Sequence, residues 1–126
     1  MMGTQRTSVV IANGASESGE IDASGLDILG IVLPTGWTAA AVTFLAAVRE
    51  DQAGSADTFI PIYDDAGTEL TIASANAAAG RFIALRPDIA PLTRGPWRIK
   101  LRSGVAATPV NQGAERTITV VLGHVN

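Results

Sequence analysis

The sequence has no cysteine and a single histidine, His124, close to its C-terminal end. Disulfides, thiol nucleophiles and thiolate zinc sites are therefore excluded, and a His-based triad or a His-rich metal site has no residues to be built from. Aromatic residues make up only 5% of the 126 residues while apolar residues reach 47%, so a core has to be assembled from Val, Ile, Leu and Ala. Positive charge is also scarce: nine basic residues face twelve acidic ones, for a net charge of -3. That balance argues against nucleic acid, whose binders carry basic patches that neutralise phosphates. The longest mostly apolar stretch, residues 28–48, is broken by Pro34, Thr35 and Gly36, so no membrane span is expected. Met1-Met2-Gly3-Thr4-Gln5-Arg6 is not followed by an uninterrupted apolar run, and no secretory signal is expected either. These shortages remove most enzyme chemistry; no catalytic residue, cofactor or metal is expected, and the chain is expected not to be an enzyme.

What is present is alternation. In Trp97-Arg98-Ile99-Lys100-Leu101-Arg102, the apolar Trp97, Ile99 and Leu101 face one way and the three cations the other, the pattern of a strand with one wet face. Residues 116–122 repeat it, with Ile118, Val120 and Leu122 on one side. Residues 59–63 and 69–72 flank Asp64-Asp65-Ala66-Gly67-Thr68, which predicts a hairpin with an Asp/Gly turn; Pro61 places the first arm at an edge or a bulge. Further strands are expected over 7–12, 19–23, 27–33, 41–48 and 81–85. Residues 28–33, apolar at nearly every position, predict a central strand covered on both faces. Residues 38–50 are Ala-rich and helix-compatible, but the alternation of Val42, Phe44, Ala46 and Val48 favours a strand; residues 73–80 predict a helical turn or a small-residue loop. With thirteen Gly and six Pro dispersed between short elements, the expected fold is all-β: a single jelly-roll-like β-sandwich of about eight to nine strands. Residues 1–18 form an N-terminal arm or the first strand, and residues 19–126 the sandwich.

Few constellations suggest chemistry. Asp64 and Asp65, with Gly67 and Glu69, sit in the hairpin turn; acidic turns bind calcium, but the spacing is not that of an EF-hand, and Asp and Gly are ordinary turn residues. Glu50, Asp51 and Asp57 bracket a second such loop around Gly54. Trp37 and Trp97 lie at loop-to-strand junctions, where each either plugs an end of the core or stacks on a sugar or a partner protein. Eight of the nine basic residues are Arg, the side chain suited to bidentate pairing with carboxylates. Arg98, Lys100 and Arg102 on one strand face, with Arg116 opening the last strand, are candidates for subunit contacts, for pairing with the chain's own acids, or for a solvated face. The small-residue stretch 104–113 carries no phosphate-binding spacing and predicts a crossover or an intersubunit arm.

Three blocks carry a resemblance. They are Gly30-Ile31-Val32-Leu33-Pro34 through Trp37-Thr38 to Ala40-Ala41-Val42-Thr43-Phe44; the hairpin Tyr63-Asp64-Asp65-Ala66-Gly67-Thr68-Glu69-Leu70; and Ile99-Lys100-Leu101-Arg102-Ser103-Gly104 through Thr108-Pro109-Val110-Asn111-Gln112 to Arg116. Over residues 17–122 the chain resembles small β-sandwich virion proteins of tailed bacteriophages and gene transfer agents, of the head-spike base or head-decoration type. The resemblance implies a structural part of the particle head, made in the bacterial cytoplasm. Its implied partners are the capsid protein and a spike or fibre protein, and it implies a homo-oligomer, with a pentamer favoured by a vertex position and a trimer as the alternative. None of the blocks is a catalytic signature. The rival expectation is a carbohydrate-binding module or tail-associated protein that contacts host polysaccharide through Trp37 or Trp97.

Overall fold

Nine strands pair into two antiparallel sheets in the computed structural model, which describes residues 4–22, 25–47, 58–86, 90–93, 96 and 98–124. They are β1 (Gln5–Ile11), β2 (Asp27–Val32), β3 (Val42–Ala47), β4 (Ile60–Pro61), β5 (Thr71–Ile72), β6 (Phe82–Ala84), β7 (Arg98–Val105), β8 (Thr108–Pro109) and β9 (Arg116–Gly123). The first sheet runs β1-β9-β2-β6; the second runs β4-β3-β7-β8, with β5 also paired to β3. Residues 16–21 add to the free edge of β7, where Glu17 bridges Arg102 and Ile21 bridges Ile99; the Ser18 amide donates to the Leu101 carbonyl at 2.8 Å.

Counting residues 16–21 as the second strand and the β4 and β5 arms together as the fifth, the two orders become 1-8-3-6 and 2-7-4-5. This is the strand order of a jelly roll, in which the chain crosses between sheets at nearly every step. The expected all-β sandwich is therefore the fold. A single 3-10 turn, Ala90–Thr93, is the only helix among the described residues; the Thr93 hydroxyl accepts from the Ile28 amide at 2.8 Å and so pins the start of β2. No helix among these residues is long and apolar enough to cross a membrane.

Alternation builds the core as the pattern requires. Val9 and Ile11 of β1, Ile28 and Ile31 of β2, Val42 and Phe44 of β3, Ile99 and Leu101 of β7, and Ile118, Val120 and Leu122 of β9 form one buried cluster. Each fully buried side chain of this kind contributes about 1.5–3 kcal/mol. Among the described residues Phe44 is its one fully buried aromatic, so the packing relies on interdigitated branched aliphatics, which hold χ1 firmly in strands.

Several expectations are refined. Residues 38–47 contain no helix, and β3 is buried at every position; Val48 to Glu50 lie outside the described residues. Residues 73–80 hold one helical turn, in which the Ala77 amide donates to the Ala73 carbonyl at 3.0 Å, followed by a loop, as expected. Residues 19–23 form no regular strand; their pairing is spread over the 16–21 segment, with Ala23 outside the described residues. Residues 28–33 do make a central strand, but Leu29 and Val32 remain half-buried, so its two faces are not equally covered. Residues 5–11 are β1, in register with β9 over seven residues from Gln5↔Leu122 to Ile11↔Arg116, so that part of the N-terminal segment is the first strand of the sandwich.

Candidate functional site

The outward side of the second sheet carries most of the polar residues singled out in the sequence. Its inward residues follow from the pairing of Phe44 with Leu101 and Ala46 with Ile99; Thr43, Leu45 and Ala47 therefore share the outward side with Arg102, Lys100 and Arg98. Leu45 and Ala47 are nevertheless buried, because the long cationic stems lie over them. Each cation meets a carboxylate from elsewhere in the chain. Arg98 reaches Asp22 at 3.6 Å and Lys100 reaches Glu17 at 3.7 Å, both in or next to the 16–21 segment. Lys100 also stands over the Phe59 ring, 4.5 Å from its centroid.

Arg102 is the buried member. Its guanidinium pairs with Glu69, and its side chain is 6% exposed against 12% for the acid. Arg102 Nε donates to Thr43 Oγ1 at 3.0 Å, and that hydroxyl donates to the Gly104 carbonyl at 2.6 Å. The other Glu69 oxygen accepts the Ala106 amide at 3.1 Å. One acid thus clamps the β4–β5 hairpin to β7 and to the β7–β8 turn. The face expected to be wet is half-buried to buried, because the chain's own acids and the residues following 58 cover it.

A second polar cluster closes one end of the sandwich. Gln112 is 1% exposed and makes four side-chain hydrogen bonds. Its Oε1 accepts from the Thr38 amide at 2.8 Å and from Arg116 Nε at 3.0 Å; its Nε2 donates to the Thr38 carbonyl at 3.1 Å and to Ser103 Oγ at 2.7 Å. Arg116 also donates to Thr38 Oγ1 at 3.3 Å. The expected loop over 104–113 is therefore a crossover from β7 to β9 that is pinned at Gln112. Its turn requires a glycine: Gly104 has φ +92°, and a Cβ there would stand 2.6 Å from the Val110 amide nitrogen. Trp37 flanks this end half-buried, packed against the core edge, with its Nε1 donating to the Ala40 carbonyl at 3.4 Å. Trp97, Glu50, Asp51, Gly54 and Asp57 lie outside the described residues.

The acidic turn is occupied by its own backbone. Asp64 Oδ1 accepts from the Ala66 and Thr68 amides, both at 2.9 Å, which is turn chemistry. Among the described residues no three His, Asp or Glu side chains come together in a way that would hold a metal ion.

The outward side of the first sheet has the opposite character. Register places Arg6, Ser8 and Val10 of β1 beside Val121, Thr119 and Thr117 of β9. Gly30 and Val32 of β2 and Ala84 and Phe82 of β6 complete the face. Arg6 is its one exposed charged strand residue, and Val10 and Phe82 are 40% and 51% exposed. The Phe82 ring lies directly over Gly30, where a Cβ would collide with it and stand 2.6 Å from the Ile83 carbonyl oxygen. Leu29 likewise covers Gly123, so neither glycine leaves a hollow in the face.

Glu69 was singled out only as part of the acidic turn, and Gln112, Thr38 and Thr43 only within the resemblance blocks, not for the bonds they make. Those roles depend largely on partners 33 to 78 residues away, and no local spacing signals such pairs. Compared with known proteins, the chain matches no family model, no curated protein and no solved structure.

Proposed function

We propose that the chain is a non-enzymatic structural part of the virion of a tailed bacteriophage or gene transfer agent, a head-spike base or head-decoration protein that attaches to the capsid and carries a spike or fibre protein. The observation that carries this reading is the division of labour between the two outer faces. One is closed by the chain's own ion pairs; the described strands of the other carry a single exposed charge, Arg6. A building block in an assembly needs such a rigid body with an open face. The jelly roll, which also serves in capsid and lectin domains, agrees with it as an analogy of fold alone. The resemblance of residues 17–122 to virion proteins narrows the class of assembly to a phage-like particle.

The test is co-sedimentation of the purified chain with capsids that lack it. Saturable binding that places the chain on the particle surface is the expected result. Failure to bind the capsids, together with a change in tryptophan fluorescence on adding host polysaccharide, would transfer the assignment to a glycan-binding module.

A further inference from the structure

We propose that the outward face of the β1-β9-β2-β6 sheet is a self-association surface, on which a second copy of this chain packs sheet against sheet. The inference deepens the assembly reading by naming the surface and its partner.

The face is apolar and even. Val10, Val121, Val32, Leu29 and Phe82 supply hydrocarbon, with Thr119 between them, and four of these six lie half-buried with no described element over them. Phe82 and Leu29 fill the space above Gly30 and Gly123, which removes the hollows a protruding side chain would need. A face without such hollows suits another sheet at the usual separation of about 10 Å. Its exposed apolar residues, Val10 and Phe82, stand on the two edge strands with the half-buried ones between them, and apolar surface of this kind marks an interaction site.

Charge selects the occupant. Of the described carboxylates, only Asp27 lies on a strand of this sheet, and it is fully buried. Glu17, Glu20 and Asp22 precede β2, Asp64, Asp65 and Glu69 belong to the hairpin of the other sheet, and Glu115 precedes β9. Two copies meeting through this face bring together strands that carry no described exposed carboxylate, an arrangement of low repulsion for a chain of net charge -3. A charged partner would instead have to desolvate its ions against strands whose one described exposed charge is Arg6.

Size sets the strength. Four strands about 4.8 Å apart, some six residues long at about 3.4 Å each, make a plane of roughly 400 Å². Two such planes bury about 800 Å² or somewhat more, below the roughly 1,200 Å² of a stable specific pair and in the range of weak, transient ones. The association is therefore weak and concentration-dependent, and being isologous it closes at two copies.

Sedimentation equilibrium of the full chain from about 10 µM to about 1 mM, the range in which so small an interface associates, tests this. Val10→Glu and Ala84→Glu place an acid at opposite edges of the face, and Ala66→Glu adds the same charge in the exposed turn of the other sheet. The unsubstituted chain and Ala66→Glu are expected to rise from monomer to dimer mass, while Val10→Glu and Ala84→Glu weaken association by more than about 30-fold. Should one of these two fail to fold, by its melting curve, the other decides. A monomer at the highest concentration, or unchanged pairing of the folded edge variants, overturns the inference. So does a trimer or pentamer unaffected by them, although that result would leave the capsid reading standing. A dimer that fails to bind capsids would do the reverse.

Discussion

The two outer faces of this sandwich are built from the same strand geometry and put to opposite uses. On the second sheet, Arg98, Lys100 and Arg102 project from alternate positions of β7, yet they are half-buried or buried, and they cover Leu45 and Ala47 while pairing with Asp22, Glu17 and Glu69. On the first sheet the equivalent outward positions of β9 hold Thr117, Thr119 and Val121, and no described element lies across them. The difference shows that polarity along a strand does not report exposure. Charged side chains with long stems close a face when their counterions come from the same chain. Short neutral ones leave it open.

Three sets of substitutions press on this contrast. The largest effect is expected on the closed face. Glu69→Ala leaves the Arg102 guanidinium buried without its carboxylate and is expected to lower unfolding free energy by about 3–5 kcal/mol in urea titration. Replacing both residues by Met should recover most of that loss, since it removes the uncompensated charge; an equal loss in single and double variants would show that the ion pair is not what closes the face. On the open face, Gly30→Ala forces a Cβ into the Phe82 ring and toward the Ile83 carbonyl. It should lower stability by about 1–3 kcal/mol. Adding Phe82→Ala should relieve only part of this, because the carbonyl remains. The smallest effect belongs to the rim of the closed face: Glu17→Ala exposes Lys100 at a cost below about 1 kcal/mol, and the difference should vanish near 1 M salt. A larger, salt-insensitive loss would mean that Glu17 acts through packing against β7.

Much of the fold was legible because its signal is local. Alternation at 97–102 and 116–122 identified β7 and β9, and the Asp64 to Thr68 turn marked the hairpin. The Ala-rich 38–47 segment was separable from a helix by the phase of Val42, Phe44 and Ala46. What local signals could not carry is pairing. Residues 16–21 bear no clear alternation because they serve two sheets: Ser18 faces both Ile11 and Leu101. The cations on β7 were visible as a set, but whether their acids came from the same chain depended on where residues 17, 22 and 69 were brought. Gln112 gave no signal in a stretch of small residues, since its value lies in four bonds that exist only when the crossover is closed.

The placement of β9 between β1 and β2 sets an order on synthesis. As the chain emerges from a ribosome, β1 and β2 appear early, yet neither is next to the other in the finished sheet; both pair with residues 116–123. β2 gains a partner on one edge when β6 is made, but its other edge, and the whole of β1, have no native strand partner in this sheet until nearly all of the described chain is made. In the interval those strands present open edges rich in Val and Ile, the kind of surface that aggregates or recruits chaperones. The face that the finished protein leaves open belongs to the sheet that is completed last.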